Sequence, residues 1–451
     1  MNIRKLLTGA MLVMAFAGLD LNTVSADVTI TDVCWTSEAD KHIKDEEGLR
    51  KLAHLVNDHS MDFDDEVIYL EADITLGDEP FVPIGTLEHR FKGTFEGGGH
   101  TIKGMKLRDL DGKDCYGLFG VAYEAAIYDV KLYDVDIDIT KAAQEQQNTV
   151  CVGGLAGICA NCDIMMCCTE SGSISAVRGE DGWYQTDAGG LIGIDLGGEL
   201  RFCRNNVPVF SNYDNVGGLA GALAVTDDKY YVQNIAYCCN NADITSNGSK
   251  TYMGGLTALN TGGGISSCYN SGKVTNADST NTSGIVAFSN STASQIDGCT
   301  DLCPDNIEKT MYSGRLNIMY TSETYNAVSP ESNGEGNSVE RIDLEKLSEL
   351  EVLEKLNGYE SCYVWAINYG HPVLWWQAIN GNDAVIRGDV SGDGYLAPKD
   401  IKLILKHISG ASLLTGDRLI CADYNNDGNV DLKDVLLIMN TPSRYFSYIT
   451  T

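Results

Sequence analysis

One glycine-rich phrase returns along the chain: Gly117-Leu-Phe-Gly120, Gly153-Gly-Leu-Ala-Gly157, Gly189-Gly-Leu-Ile-Gly193, Gly217-Gly-Leu-Ala-Gly221, Gly254-Gly-Leu-Thr257 and, more weakly, Ser283-Gly-Ile-Val286. Its central apolar residues, Leu118, Leu155, Leu191, Leu219, Leu256 and Ile285, are separated by 37, 36, 28, 37 and 29 residues. A period of that size is the mark of a solenoid. Behind each copy follows a second element: Ile164-Met-Met-Cys167, Leu200-Arg-Phe-Cys203, Ile235-Ala-Tyr-Cys238, Ile265-Ser-Ser-Cys268 and Ile296-Asp-Gly-Cys299. A third short apolar position often comes next, as at Ile174, Ile244 and Val274.

Three short strands per turn with glycines at the corners predict a mainly β fold, a right-handed parallel β-helix. Helix-forming patterns are missing from about residue 91 to 310, where β-branched residues and Gly, Asn, Ser and Thr turns dominate. One coil cannot bury its inner face alone, so each depends on the next. The equivalent cysteines, Cys167, Cys203, Cys238, Cys268 and Cys299, are expected as a buried ladder of free thiols. Disulfides between neighbours and metal binding are the alternatives weighed for them. Cys159-Ala-Asn-Cys162 has redox or zinc spacing, with no second pair or nearby histidine to support it. The glycine-leucine-glycine signature with trailing isoleucine, cysteine and asparagine resembles GLUG-type repeats, over roughly Phe91 to Cys303, and Phe91 to Ile102 is similar to their opening coil. The resemblance implies a secreted or surface protein, often adhesin-like.

Both ends of the repeats carry expected capping helices. Leu49, Leu52, Ala53 and Val56 stand at helical spacing within Asp45 to Asn57, ahead of a strand at Val67 to Leu70. On the other side Leu344, Leu347, Leu350, Leu353 and Leu356 make a second amphipathic pattern, followed by Trp365, Pro372, Leu374 and Trp375.

Two further stretches place oxygen side chains as a calcium ion requires. In the loops Asp389 to Asp400 and Asp423 to Asp434, positions 1, 3, 5 and 12 fall on Asp389, Ser391, Asp393 and Asp400, then on Asp423, Asn425, Asp427 and Asp434. Position 7 offers the carbonyl of Tyr395 or Asn429; position 9 is Asp431 in the second loop and Ala397 in the first. Gly394 and Gly428 take the sharp turn at position 6. An apolar helical pattern follows each loop, but no helix precedes the first, since Ile379 to Arg387 reads as a linker. This duplicated loop-and-exit-helix unit, Gly388 to Pro442, resembles a type I dockerin, a small all-α module that attaches secreted proteins to cohesins on a scaffoldin. The resemblance implies two calcium ions, a cohesin partner in a cellulosome-type complex, and recognition by Pro398, Lys399, Leu432 and Lys433.

Arg4, Lys5, an apolar run from Leu6 to Leu19 and Val24-Ser-Ala26 predict a signal peptide over 1–26 and a secreted, extracellular chain. No later stretch reaches the roughly 20 apolar residues of a membrane helix. A formal charge of −31 argues against a nucleic acid partner. The expected order is then a cap at 27–90, the β-helix at 91–310, a second cap at 311–378, a linker at 379–387, the dockerin at 388–442 and a tail at 443–451, as a monomer.

No motif for nucleophilic catalysis, zinc proteolysis or nucleotide binding is present in the sequence. Asp134, Asp136 and Asp138 share one strand face; a solvated outer face is favoured over calcium binding or sugar protonation. His100 reads as a turn residue rather than a base, and Trp365, Trp375 and Trp376 as packing rather than sugar platforms. The expectation is a non-catalytic binding or structural module acting on a polysaccharide, a cell surface or a protein. The alternatives are a glycoside hydrolase or polysaccharide lyase on the same scaffold and, behind it, a protease or protease inhibitor.

Overall fold

The computed structural model describes residues 41–306 apart from 110–113, 142–148, 179–184, 226–232, 249–250, 277–280, 290 and 292–293; beyond 306 it describes separate stretches, chiefly 315–320, 338–341, 365–368, 371–374, 398–411 and 428–440. The predicted signal peptide, the helix expected over Leu344 to Leu356, Trp375, Trp376 and the linker at 379–387 lie outside the described residues. The chain divides into two compact units, Met1–Ile342 and Asp343–Thr451.

Helix α1, Glu46–His59, follows the short strand His42–Ile43 near the start of the described chain. Asp45 caps it by accepting the Gly48 N–H at 2.9 Å, and Leu49, Leu52, Ala53, Leu55 and Val56 are buried along one face. The strand Val67–Leu70 follows, paired in parallel with His42–Ile43 and with Thr94–Glu96.

From there each coil carries five short strands rather than the three expected. One coil runs Cys162–Met165, Cys168–Thr169, Gly172–Arg178, Thr186–Gly189 and Ile192–Asp195. Each strand pairs in parallel with its counterpart in the next coil. Two of the expected strands are split by local conformation. In the Ile-x-x-Cys element the residue before the cysteine is left-handed: Met166, Phe202, Tyr237 and Ser267 have φ of 56, 56, 54 and 48°. In the Gly-Gly-Leu phrase the chain turns between one strand ending at Gly189 and another beginning at Ile192.

Equivalent residues stack in register through the coils. Ile68, Phe95, Ile127, Ile164, Leu200, Ile235, Ile265, Ile296 and Leu316 form one buried file. The leucines of the repeated phrase form another, linked by backbone bonds from Leu155 to Leu191, Leu191 to Leu219, Leu219 to Leu256 and Leu256 to Ile285 at 2.9 to 3.0 Å. Each buried aliphatic side chain contributes about 1.5–3 kcal/mol, and it reaches that value only when the next coil covers it.

The five aligned cysteines are buried with free thiols, in line with the expected ladder. The backbone N–H of Cys167, Cys203 and Cys238 points at the sulfur of the next rung, at 3.4, 3.3 and 3.3 Å. Burial pushes the Cys203, Cys268 and Cys299 thiols up, which keeps them protonated.

Two residues beyond each cysteine stands a second ladder, and it is polar. Thr169 donates to Asn205 Oδ1 at 2.7 Å, Asn205 to Asn240 at 2.8 Å, Asn240 to Asn270 at 2.8 Å, and Asn270 to Asp301 at 3.0 Å. Each asparagine also closes the turn after it, Asn240 through the Ala242 carbonyl at 2.8 Å and the Ala242 N–H at 3.3 Å. All five side chains have no exposed surface. The ladder explains the second glycine of the phrase. A Cβ on Gly190, Gly218 or Gly255 would come within 2.2 to 2.4 Å of the facing asparagine Cγ.

Two buried acids went unnoticed in the sequence. Asp187 and Asp195 occupy positions that Cys151 and Cys159 fill one coil earlier. Burial pushes both carboxyls up to about 7.

These features set three expectations. Gly218→Ala drives a methyl to 2.0 Å from the Gly255 carbonyl, so the variant should lose cooperative unfolding or more than about 3 kcal/mol in a urea melt. Asn240→Ala should cost about 2–4 kcal/mol, because both neighbouring rungs lose a buried partner. The third expectation concerns pH. Folded Asp187 and Asp195 hold protons that the unfolded chain releases above its ordinary carboxylate value of 3.8. Their contribution is present in full below that pH and is lost as pH rises to about 7. Urea melts at pH 5 and pH 8 should differ by about 2–3 kcal/mol per carboxyl, and the difference should shrink in Asp187→Asn and Asp195→Asn.

Candidate metal centre

The second unit contains helix α2, Pro398–Ile408, and helix α3, Leu432–Asn440. They pack around Val390, Ile404, Leu414, Ala422, Val435 and Ile438, with Ile401, Leu403, Tyr424 and Val430 against that core. The two apolar runs expected to be helical are helical, but only part of each faces inward. Leu405, Ile408, Leu436 and Leu437 are exposed, as is Leu413. Adjacent apolar residues on a helix lie about 100° apart, so one narrow core cannot hold them all.

Each helix begins two residues before the last acid of a loop. Asp400 and Asp434 sit in the first turns of α2 and α3, and both are completely buried. A carboxylate there faces the positive end of the helix.

The second loop is the better described. Gly428 adopts φ of 84°, and its N–H donates to Asp423 Oδ2 at 2.9 Å. The Asp431 N–H donates to Asp434 Oδ2 at 2.7 Å, and the Lys433 N–H to Asp431 Oδ1 at 2.7 Å. Loop positions 1 and 6 are thus tied to each other, and positions 9 and 12 likewise. Asn429 is exposed, with Asp431 partly so. The donors are all oxygens on a glycine-pivoted loop, which suits a hard divalent cation such as calcium.

Asp389, Ser391, Asp393, Tyr395, Asn425 and Asp427 lie outside the described residues. Leu432 and Lys433 open α3 and are exposed. Pro398 and Lys399 open α2 at the equivalent place, with side chains outside the described set.

On the β-helix the acids singled out in the sequence face outward. Val135, Ile137 and Ile139 are buried, whereas Asp134 pairs with Lys103 at 3.1 Å and accepts from Ser171 Oγ at 2.8 Å. Asp136 pairs with Arg108, whose guanidinium also bonds the Asp136 carbonyl at 2.8 Å. His100 closes a turn through its N–H to the Gly97 carbonyl at 2.9 Å, with its ring beside Asp73. Trp365 starts the strand Trp365–Asn368, paired antiparallel with His371–Leu374. Among the described residues no three His, Cys, Asp or Glu side chains converge as a metal site, and no helix is long and apolar enough to cross a membrane.

The model of the Dockerin type I domain matches residues 387–441. No curated protein sequence matches the chain. Among solved structures, a Bacteroides ovatus protein described as a candidate immunoglobulin A1 protease superposes with a TM-score of 0.45 and 16% identity, covering 74% of this chain and 92% of its own. A likeness at that level says nothing of shared activity. The loops with buried closing aspartates, the two exit helices and the family match agree: residues 387–441 are a dockerin type I domain, a kind of module that binds calcium and cohesins.

Proposed function

We propose that the protein is a secreted component of a cellulosome-like complex, in which a GLUG-type β-helix serves as a non-catalytic binding or structural module and the dockerin attaches it to a cohesin. The observation that carries this reading is the paired burial of Asp400 and Asp434 at the starts of α2 and α3, inside the segment that matches the dockerin model.

Two calcium ions complete the module. Asp389, Ser391, Asp393, the Tyr395 carbonyl and Asp400 hold one, with water at the position of Ala397. Asp423, Asn425, Asp427, the Asn429 carbonyl, Asp431 and Asp434 hold the other. Several carboxylates gathered in one short loop repel each other, and a bound cation turns that repulsion into attraction. The cation therefore closes the loop, and the closed loop sets where α2 and α3 begin. Pro398 and Lys399, with Leu432 and Lys433, then meet the cohesin. Since Pro398 and Leu432 differ at equivalent positions, one orientation on the cohesin is preferred over the other.

The β-helix presents its surface rather than a reaction centre. Of its outward acids, Asp134 is paired with Lys103 and Asp136 with Arg108, and the two carboxyls pushed up to about 7, Asp187 and Asp195, are buried out of reach of a polymer. Support for a polysaccharide or surface partner comes from the company dockerins keep. The predicted order of signal peptide, caps, β-helix, linker and dockerin belongs to the same proposal.

Cohesin binding should vanish in excess EDTA and return with calcium, as read by calorimetry; binding that survives chelation would contradict the reading. Asp427→Ala should weaken cohesin binding at least about 100-fold, while Asp134→Ala on the β-helix leaves it unchanged. The protein incubated with a panel of plant polysaccharides should be pulled down by one or more of them without releasing sugar. Sugar release would replace the binding module with a glycoside hydrolase or lyase.

A further inference from the structure

Three of the seven histidines, scattered at positions 54, 59 and 89, meet at the end of α1. His54 Nε2 lies 3.1 Å from His59 Nε2, with the rings edge to face at 4.7 Å between centroids. His54 Nδ1 bonds Asp58 Oδ2 at 2.6 Å. A carboxylate accepts only, so this contact makes Nδ1 the protonated nitrogen of His54 and leaves Nε2 as a lone pair. His89 is committed to the same turn: its Nδ1 donates to the Asn57 carbonyl, and its Nε2 lies 3.1 Å from Ser60 Oγ.

A lone pair facing a second imidazole nitrogen has two uses. It accepts the His59 Nε2–H, or both nitrogens take one cation while the His59 proton moves to Nδ1. The spacing suits the second use. With metal–nitrogen bonds of about 2.0–2.1 Å, two imidazoles on one ion lie about 2.9–3.4 Å apart for angles between square and tetrahedral. A carboxylate behind a ligating histidine is the usual outer partner, because it orients the ring and raises its basicity. The last turn of a helix also favours positive charge. The His54 and Asp58 side chains are more than half exposed, so an ion and its waters can enter.

The geometry points to a surface site for a borderline divalent cation, Zn2+, Cu2+ or Ni2+, held by the Nε2 atoms of His54 and His59, with Asp58 orienting His54 and water in the remaining positions. No third described His, Cys, Asp or Glu joins them, so affinity is modest and exchange with solvent is open. Imidazole nitrogen selects these metals over calcium, which keeps the site distinct from the oxygen-lined loops.

The test uses the full chain saturated with millimolar calcium, so that the dockerin loops are filled. Zn2+ is titrated by calorimetry, and Cu2+ is followed by the nitrogen splitting in its electron paramagnetic resonance spectrum. One equivalent is expected to bind below millimolar metal, with two coupled nitrogens on copper. His54→Gln and His59→Gln should each weaken it at least tenfold and remove one coupled nitrogen. Asp58→Asn should weaken it severalfold while both nitrogens remain, and His100→Gln should change nothing. Melting curves check that each variant stays folded. Zn2+ affinity unchanged in both His54→Gln and His59→Gln, or no binding below millimolar metal, would overturn the site.

Discussion

The β-helix depends on one contact repeated through its interior: the amide of an asparagine bonded to the amide of the next. Hydrophobic stacking fixes which face of each strand points inward, but a slip by two residues keeps the same face inward and is opposed less. An amide ladder cannot slide. Asn205, Asn240 and Asn270 each donate to the next rung, ending at Asp301, and each closes its own turn, so a shift by one residue would bury several unpaired polar groups at once. The glycines facing it make room: Gly190, Gly218 and Gly255 stand where any side chain would strike an asparagine. Turn, ladder and glycine are therefore a single device, present once in each of these coils.

The dockerin works by a different principle. Its core is small, resting on Val390, Ile404, Leu414, Ala422, Val435 and Ile438, and it buries two carboxylates beside that core. A β-helix coil is stabilised by its neighbours, whereas this module packs two short helices around a small core of its own. The exposed leucines Leu405, Leu436 and Leu437 lie on the same two helices that supply this core.

Much of this was legible in the residues. The Gly-Gly-Leu phrase and the Ile-x-x-Cys element marked the coils, and the cysteines lie in the ladder their spacing implied. Helix α1 could be read from Leu49, Leu52, Ala53 and Val56, with its boundary shifted only slightly. The number of strands per coil could not. A left-handed residue at Phe202 or Tyr237 breaks a strand without a glycine to announce it. Asp187 and Asp195 were equally silent, since an acid in the slot of a buried cysteine has no local signature.

Taken alone, the sequence determined the solenoid period, the placement of glycine at close approaches and the position of the dockerin segment. These are properties of spacing and residue type, and they survive without knowledge of any partner. Tertiary structure decided which polar groups meet: Asn205 with Asn240, Arg108 with Asp136, His54 with His59, and the depth at which Asp187 and Asp195 lie. The physical reason is that pairing energies and burial depend on distances between residues 5 to 40 positions apart in the chain, which only the stacking of coils and the packing of α1 against them set.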